Sequence, residues 1–469
     1  MNPDGGAWSP DRRLLTIGLI GLVTAGAFEG MAVPTVLPAM VDELGGLDLY
    51  GWAFSAFWLT TIVGITLAGS DADRRGPARS LGIGVVLFAA GMVVSGLASG
   101  MPMVIAGRAI QGFGSGAIGS VVYAVIARAY APRARPRMIA LVSSAWVVPG
   151  LIGPALAGAV SDAASWRWVF LGIVAPVLIM GLAVYPQLGP LGAVERSERT
   201  RSDSRRALDA VLLAVGSTML LGALTVGTWY LAVPLAVAGG WLMIGALRHL
   251  LPPGSLRLAP GRPSVVAVVF AVAFAFFGSE AYVPLTVVEV RGGSVTLGGL
   301  ALSASAVTWA AGAWLQARAA SSRARGGVVV AGAALIAAGI GVMALVLLPD
   351  APVLVAAIGW AVAGLGMGLA YSMLALLMLE TAPPGEEGVS SAALQLMFTL
   401  GTALGAGAGG AVVALADAGA LDLPPALAIV FAAMAAVAVL AFLGAFRVPR
   451  APVPGHAASR ALPSTVEHL

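Results

Sequence analysis

The sequence predicts an all-α polytopic membrane protein with 14 transmembrane helices. Of its 469 residues, 59% are hydrophobic and only 10% are charged. Division of the chain at charges, prolines and glycines leaves fourteen apolar stretches of about 20 residues or more, enough to cross ~30 Å of hydrocarbon as helices. Arginine residues fall in alternate loops between these stretches. No polar stretch is long enough to form a soluble domain.

The spans fall into a group of six, a close pair and a second group of six. They are predicted at residues 14–40, 50–69, 80–98, 102–127, 138–160, 168–186, 207–226, 229–247, 264–288, 296–317, 328–348, 352–379, 389–416 and 424–446. GSDADRRGPARS after the second span has a faded counterpart, GAWLQARAASSRARGG, after the tenth, which favours two homologous bundles. The predicted units are an N-terminal six-helix bundle at 1–190, a cytoplasmic linker with an inserted two-helix hairpin at 191–262, a C-terminal six-helix bundle at 263–448 and a disordered cytoplasmic tail at 449–469.

The distribution of charge between loops predicts the topology. The arginine-rich loops are 74–79, 128–137, 196–206, 248–262 and 318–325, on the same side as Arg12, Arg13 and Arg447. The other loops carry Asp42, Glu43, Asp48, Asp162, Asp350, Asp417 and Asp422, with only Arg167 and Arg291 as basic residues. By the positive-inside rule, both termini are expected to be cytoplasmic.

The composition also excludes several classes of function. The chain has no cysteine, and its histidines lie in a loop or the tail, at His249, His456 and His468. A thiolate metal site and a buried histidine relay are therefore not expected. No nucleophile has an evident base, and no glycine-rich nucleotide-binding loop is present, so we expect neither an enzyme nor a nucleotide-driven pump. The loop arginines report topology and not nucleic-acid binding, and no cofactor is expected.

Three charged residues interrupt the apolar spans. Arg108 lies within an apolar segment at 103–127, and Glu29 and Glu280 are the only carboxylates far from the ends of other apolar runs. A guanidinium does not lose its charge and costs several kcal/mol near a bilayer centre, so Arg108 needs an anionic partner, a substrate or water. Counting residues from the span ends places all three in the half of the membrane away from the arginine-rich loops. The three charges are expected to share one cavity.

Glu29 and Arg108 can be read as a structural ion pair or as a functional one. A buried pair adds little stability relative to apolar packing, so its presence favours function. A carboxylate poised between desolvation and a nearby guanidinium suits a group that binds a proton in one access state and releases it in the other. Glu280 has no cation within the spans of its own half of the chain. It is expected to be a second proton or cation site, with an outer-vestibule residue beside Tyr282 and Pro284 as the alternative.

Several ordered motifs resemble those of the major facilitator superfamily, and within it the fourteen-span drug:proton antiporters. EGMAVPTVLPAM is similar to the first-helix signature, WAFSAFWL to the start of the second helix, and AGRAIQGFGSG to the fourth-helix signature RxxQG. WRWVF and ETAPPGEEGVSSAALQ also match. The resemblance spans most of the chain and implies a major facilitator fold, in a bacterial cytoplasmic (inner) membrane.

Two motifs imply conformational roles. GSDADRRGPARS resembles the loop signature that latches the cytoplasmic side through the start of span thirteen near Gly388, with Gly69, Asp73, Arg74, Gly76 and Arg79 as the latch residues. WVVPGLIGPALAGA resembles the fifth-helix antiporter signature, whose positions here are Pro149, Gly153, Pro154 and Gly158. Glycines permit close packing and proline bends the helix. The alternative for the loop is that its arginines only anchor the topology. The alternative for the helix is that its glycines and proline serve packing alone.

The substrate cavity is expected to be mostly apolar and aromatic. Its candidate lining residues are Phe28, Phe54, Trp58, Gln111, Tyr123, Trp146, Phe277, Trp309, Tyr371 and Gln395. Few charges and soft side chains suit a bulky apolar or cationic ligand.

The favoured function is secondary active export of hydrophobic or amphipathic small molecules, driven by the proton gradient and working by alternating access of two bundles. Glu29 is the leading proton carrier, Arg108 is its charge partner, and the protein is expected to be a monomer. The first alternative is a lipid or glycolipid exporter of the same fold. The second is a proton-coupled metabolite importer, against which the span-five pattern and the scarcity of polar groups argue.

Overall fold

The chain folds into α-helices joined by short loops. The structure, a computed structural model, describes residues 8–10, 12–131, 133–191, 201–257, 259–319, 325–383 and 386–449. Its helices are α1 (Arg13–Leu44), α2 (Tyr50–Arg75), α3 (Pro77–Gly96), α4 (Met101–Ala129), α5 (Arg135–Ser144), α6 (Val147–Ala163), α7 (Arg167–Leu188), α8 (Arg201–Thr225), α9 (Trp229–Leu250), α10 (Arg262–Glu280), α11 (Val283–Leu285), α12 (Val295–Ala319), α13 (Arg325–Ala344), α14 (Leu354–Glu380), α15 (Glu387–Asp417) and α16 (Leu423–Ala445). The described ranges contain no β-strand. Residues 192–200 of the predicted linker and 450–469 of the predicted tail lie outside them.

Fourteen membrane-spanning segments are present among the described residues, as predicted. The fifth span consists of α5 and α6, and the break between them comes three residues before Pro149. A proline is favoured in the first turn of a helix, where its missing N–H needs no partner, and the restart of the helix at Val147 places Pro149 in that turn. The ninth span consists of α10, α11 and a π-helical turn at Thr286–Val290.

The described loops between the fourteen spans lie alternately at two faces of the molecule. We call the face at which α2, α4, α7, α9, α12, α14 and α16 end the arginine face, and the face at which α1, α3, α6, α8, α13, α15 and the π-helical turn end the opposite face. At the arginine face, Gly76 has a φ of +88°, and Pro77 occupies the first turn of α3. Glycine reaches this φ without strain, and proline suits a helix start, so α2 and α3 are joined by a very short turn.

Two six-helix bundles repeat the same packing pattern. In the first bundle, α2 and α3 both pack on α4, α3 packs on α7, and α1 packs on α6 and α7. In the second, α12 and α13 both pack on α14, α13 packs on α16, and α10 packs on α15 and α16. The sequence repeat is therefore also a repeat of packing, with α1 corresponding to α10 and α6 to α15.

The glycines of α4 explain how closely the first bundle packs. A Cβ atom on Gly112 would collide with the Phe57 carbonyl of α2, and one on Gly114 would collide with the backbone of α3 at Phe88. Small residues let helix backbones approach in a membrane, where apolar burial supplies little attraction between helices.

The hairpin of α8 and α9 lies outside the two bundles. The helices approach each other at Gly216 and Gly239, and α8 also touches α2 and α15. Trp229 and Trp241 on α9 are 79% and 76% exposed. The hairpin therefore covers one seam between the bundles and presents its other side to lipid.

The bundles meet along two seams, α2 with α15 and α6 with α12. One hydrophobic core contains residues of both bundles, and its first-bundle members, including Val36 and Tyr50, lie in the half of the molecule near the opposite face, where they meet second-bundle residues such as Ala281. Near the arginine face, the core around Leu19 and Val125 contains first-bundle residues alone. The bundles are thus joined at the opposite face and separated at the arginine face, which opens the space between them to the arginine face.

We expect Gly112→Ala to lower the apparent Tm of the purified protein, because the new methyl group would press on the Phe57 carbonyl. Overpacking of this kind costs about 1–3 kcal/mol. Gly119→Ala on the same helix is the matched control, since a Cβ there meets no atom within 4 Å. Thermal unfolding in detergent measures both, and equal Tm values for the two variants would contradict the packing argument.

Candidate functional site

Glu29 and Arg108 form an ion pair inside the first bundle. Arg108 Nη1 of α4 donates to Glu29 Oε1 of α1, and both side chains are 1% exposed. Arg108 Nη1 also donates to Gln111 Oε1 at 3.0 Å, and Nε donates to the Ala53 carbonyl of α2 at 3.1 Å. The guanidinium therefore has one anionic and two neutral acceptors, drawn from three helices.

An aromatic ring completes the surroundings of the guanidinium. Arg108 Cζ lies 4.3 Å from the centre of the Phe57 ring, within the range of a cation–π interaction. Glu29 Oε2 and Gln111 Nε2 are buried and make no hydrogen bond within the described residues. A proton can therefore add to Oε2 while Oε1 keeps its contact with Arg108.

Glu280 lies in the second bundle, at the end of α10. Its nearest polar partner is Trp360 Nε1 of α14, which donates to Oε2 at 3.4 Å. None of the ion pairs between described residues includes Glu280. The structure brings Glu29, Arg108 and Gln111 into one hydrogen-bonded group and places Glu280 in a separate environment.

Glu280 adjoins a continuous group of aromatic rings in the second bundle. We call Phe276, Phe277, Trp309, Trp360, Tyr371 and Phe398 the aromatic cluster. Phe276 stacks on Trp360 with ring centroids 4.8 Å apart, and it meets Trp309 edge-on at 5.6 Å. Tyr371 extends the cluster through contacts of 6.4 Å to Trp309 and 4.8 Å to Phe398. The cluster thus runs from the carboxylate at Trp360 to the hydroxyl of Tyr371.

The far end of the cluster reaches the space between the bundles. The Tyr371 hydroxyl donates to Gln395 Oε1 of α15 at 3.5 Å, and Gln395 is exposed. Tyr123 of α4 is 54% exposed and lies near enough to Tyr371 to interact with it electrostatically. Predicted lining residues from both bundles therefore face the same open space.

The other predicted lining residues have different surroundings. Phe28 packs against Gly153, and Trp58 meets Phe57 edge-on at 5.3 Å. Trp146 is 44% exposed at the break between α5 and α6. Phe54 and Gln111 are 1% and 0% exposed, so in this state they are part of the packed interior and do not line the open space.

Sequence reasoning missed Phe276, Trp360 and Phe398. Each stands in a span where almost every residue is apolar, so no periodic pattern separates a cluster member from an ordinary core residue. The pairing of Glu280 with Trp360 joins residues 80 positions apart, and only the packing of α10 against α14 shows it.

The predicted latch loop makes different contacts from those expected. Asp73 Oδ1 accepts from Arg128 Nη2 of α4 at 2.6 Å, within the same bundle. The start of α15 has no side-chain cap, and Gly388 is exposed. Because the bundles are apart at the arginine face, the expected contact of Asp73 with the start of α15 is not made in this state.

The remaining latch residues stay near α2 and α3. Arg74 Nε donates to the Ser70 carbonyl at 3.3 Å, and Arg79 is exposed. Gly69 lies beside Ser120 of α4, and Gly76 forms the turn into α3.

The predicted antiporter helix lies at the junction of the two bundles. Pro149, Gly153, Pro154 and Gly158 are all buried in α6. Gly153 faces Phe28 of α1, whereas Gly158 faces Thr296 and the Pro154 carbonyl faces Gly299, both of α12. These residues pack α6 against one helix of each bundle.

The buried pair generates a stability prediction. We expect Arg108→Met and Glu29→Met each to lower the apparent Tm, because each leaves a buried charge without its partner, at about 3–5 kcal/mol. The double variant removes both charges and should be more stable than the sum of the two single effects implies. Thermal unfolding of the four proteins in one detergent measures the coupling, and additive effects would contradict a direct interaction.

Comparison with known proteins agrees with this architecture. A family model described as the Major Facilitator Superfamily matches residues 18–406. A probable multidrug-efflux transporter of Mycobacterium tuberculosis is 28% identical over 446 residues, covering 91% of this chain and 93% of the relative. The multidrug transporter protein MdtP of Bacillus subtilis is 26% identical over 425 residues, covering 86% of this chain and 75% of the relative.

Solved structures share the fold at low identity. A D-xylose–proton symporter superposes with a TM-score of 0.65 at 16% identity, covering 93% of this chain and 98% of that chain. A human organic anion transporter superposes with a TM-score of 0.58 at 17% identity, covering 93% and 100%. Because the family model covers most of the sequence and the helices have the same arrangement, the chain belongs to the Major Facilitator Superfamily and is a membrane transporter, not an enzyme.

Proposed function

We propose that the protein exports lipophilic small molecules in exchange for protons. Relatives named as multidrug transporters support the cargo class. The observation that carries the coupling step is the buried carboxylate of Glu29, held by Arg108 through one oxygen while the other makes no hydrogen bond among the described residues. The driving force is the proton gradient, and the mechanism needs no cofactor.

The surroundings of Arg108 suit repeated protonation of Glu29. When Glu29 is neutral, the guanidinium keeps the Ala53 carbonyl, the Gln111 amide oxygen and the face of Phe57. Dipoles and a ring face offset part of the cost of the buried cation, so a proton can come and go without unfolding the site. Glu29 is the proton carrier in this proposal, and Arg108 is the group that tunes it.

Orientation follows from the loop arginines. The arginine face is cytoplasmic by the positive-inside rule, with both termini on that side of a bacterial inner membrane. The state described here is then open to the cytoplasm, where an exporter loads its cargo. In the alternate state Asp73 engages the start of α15 and closes the cytoplasmic side, while the tightly packed α6 limits proton leak between the bundles. The domain limits at 190, 262 and 448 and the monomeric state stay predictions.

Glu280 and the aromatic cluster supply the second part of the site. A carboxylate without a basic partner beside six rings suits a ligand that is both cationic and apolar, since ring faces and the carboxylate each attract a cation. Gln395 and Tyr123 add two polar side chains where the cluster meets the open space between the bundles. We assign Glu280 to cation binding and, in the absence of cargo, to a second protonation site.

Substrate-induced proton release tests the role of Glu29. Addition of tetraphenylphosphonium to weakly buffered, detergent-purified wild type should release protons, and Glu29→Gln should lower the release, because only the proton held by Glu280 is then left to be displaced. Glu43→Gln is the matched control, since Glu43 is on the same helix but pairs with Arg167 at the opposite face. A pH-indicator dye measures the release. Undiminished release in Glu29→Gln would reject Glu29 as the carrier.

Ligand selectivity tests the role of Glu280. Glu280→Gln should weaken tetraphenylphosphonium binding by about tenfold, the effect of losing one close charge contact, and leave a neutral amphiphile unaffected. Glu289→Gln is the control, because Glu289 is an exposed carboxylate in the π-helical turn of the same span. Equilibrium dialysis with both ligands measures the affinities. Equal losses for the cation and the neutral ligand would indicate a structural role for Glu280.

A further inference from the structure

Asp162 connects the two bundles at the opposite face. It lies in the last turn of α6, and its carboxylate accepts three hydrogen bonds from the start of α12 in the second bundle. Val295 N donates to Oδ1 at 3.2 Å, Thr296 N donates to Oδ2 at 2.9 Å, and Thr296 Oγ1 donates to Oδ2 at 2.6 Å. The carboxylate of one bundle therefore caps a helix of the other.

Helix geometry explains why this contact is favourable. The first N–H groups of a helix have no partner within the helix, and the helix dipole favours a negative charge beside them. Gly158, one turn before Asp162, allows the approach, because a Cβ atom there would lie 2.6 Å from Thr296 Cα. Only a close α6–α12 seam puts the carboxylate within reach of both amides.

The other charged contacts have a different distribution. The ion pairs between described residues each lie within one bundle or within the α8–α9 hairpin. At the second seam the bundles are joined by neutral bonds, from Tyr50 Oη to the Ala281 carbonyl at 2.9 Å and from Ser55 Oγ to the Ala403 carbonyl at 2.7 Å. Asp162 thus adds a charge-assisted contact to seams otherwise held by packing and neutral hydrogen bonds.

We propose that Asp162 is a positioning residue of the transport cycle, which holds the opposite face closed and must leave the start of α12 before that face can open. When α6 separates from α12, the three hydrogen bonds are replaced by hydrogen bonds to water. The contact therefore favours the state in which the opposite face is closed, and its loss does not require either helix to unfold. Neither the cargo nor the coupling ion takes part in this contact. Asp162 caps a helix start at the opposite face. At the arginine face, the start of α15 has no such side-chain cap in this state.

Distance measurements between spin labels test the proposal directly. The chain has no cysteine, so labels can be attached at Ser99→Cys and Asp350→Cys, both in exposed loops of the opposite face and in different bundles. A second pair at Arg133→Cys and Glu387→Cys reports the arginine face. In lipid nanodiscs, Asp162→Ala should raise the ratio of open to closed opposite face by about tenfold, the effect of losing charge-assisted hydrogen bonds at an exposed site. The arginine-face distances should shorten in the same fraction of molecules.

Two further variants separate positioning from folding. Asp162→Asn keeps one acceptor oxygen and should lie between wild type and Asp162→Ala, whereas Thr296→Val removes the 2.6 Å bond and leaves the carboxylate in place. Glu43→Gln is the control, because Glu43 binds Trp166 and Arg167 within the first bundle. Its distances should match those of wild type.

The result that overturns the proposal is an unchanged opposite-face distance distribution in Asp162→Ala, or in Thr296→Val if Asp162→Ala does not yield monodisperse protein. An equal shift in Glu43→Gln would also overturn it, since any loss of a carboxylate at this face would then suffice.

Discussion

A guanidinium inside an apolar helix bundle is the constraint on which the first bundle depends. Arg108 keeps its charge, so its partners have to come from the helices around it. Glu29, the Ala53 carbonyl and Gln111 meet it only because α1, α2 and α4 converge at one level, and the α4 glycines allow that convergence. The most polar point of the bundle is therefore also one of its most tightly packed.

The two bundles are built alike but hold different chemistry. The first encloses a compensated ion pair, and the second presents an unpaired carboxylate beside a cluster of aromatic rings. A compensated pair suits a group that exchanges a proton without a large change in structure. An unpaired carboxylate beside rings suits a ligand that brings its own positive charge. Division of the two tasks between bundles would let cargo and proton influence each other through the relative motion of the bundles.

Contacts between the bundles are strong enough to define a state and weak enough to exchange. The seams near the opposite face consist of glycine approaches, two neutral hydrogen bonds and the Asp162 cap on α12. None of these contacts is a buried ion pair. Their loss can therefore be offset by equivalent contacts at the other face. Asp73, now paired with Arg128, is the group available at that face.

Hydrophobicity and charge along the chain were enough to predict fourteen spans, the alternation of arginine loops, the repeat of six spans and the need of Arg108 for an anion. These properties depend on single residues or on stretches of about twenty, so they can be read without knowing which helices touch. The tertiary structure alone decided that Glu280 lies beside Trp360, that Phe54 and Gln111 are buried in this state, that Asp73 binds Arg128 and that Asp162 caps α12. Each of these depends on the approach of helices distant in sequence and on which face is open. Packing and access state determine those distances, and the order of apolar residues along a span carries almost no information about them.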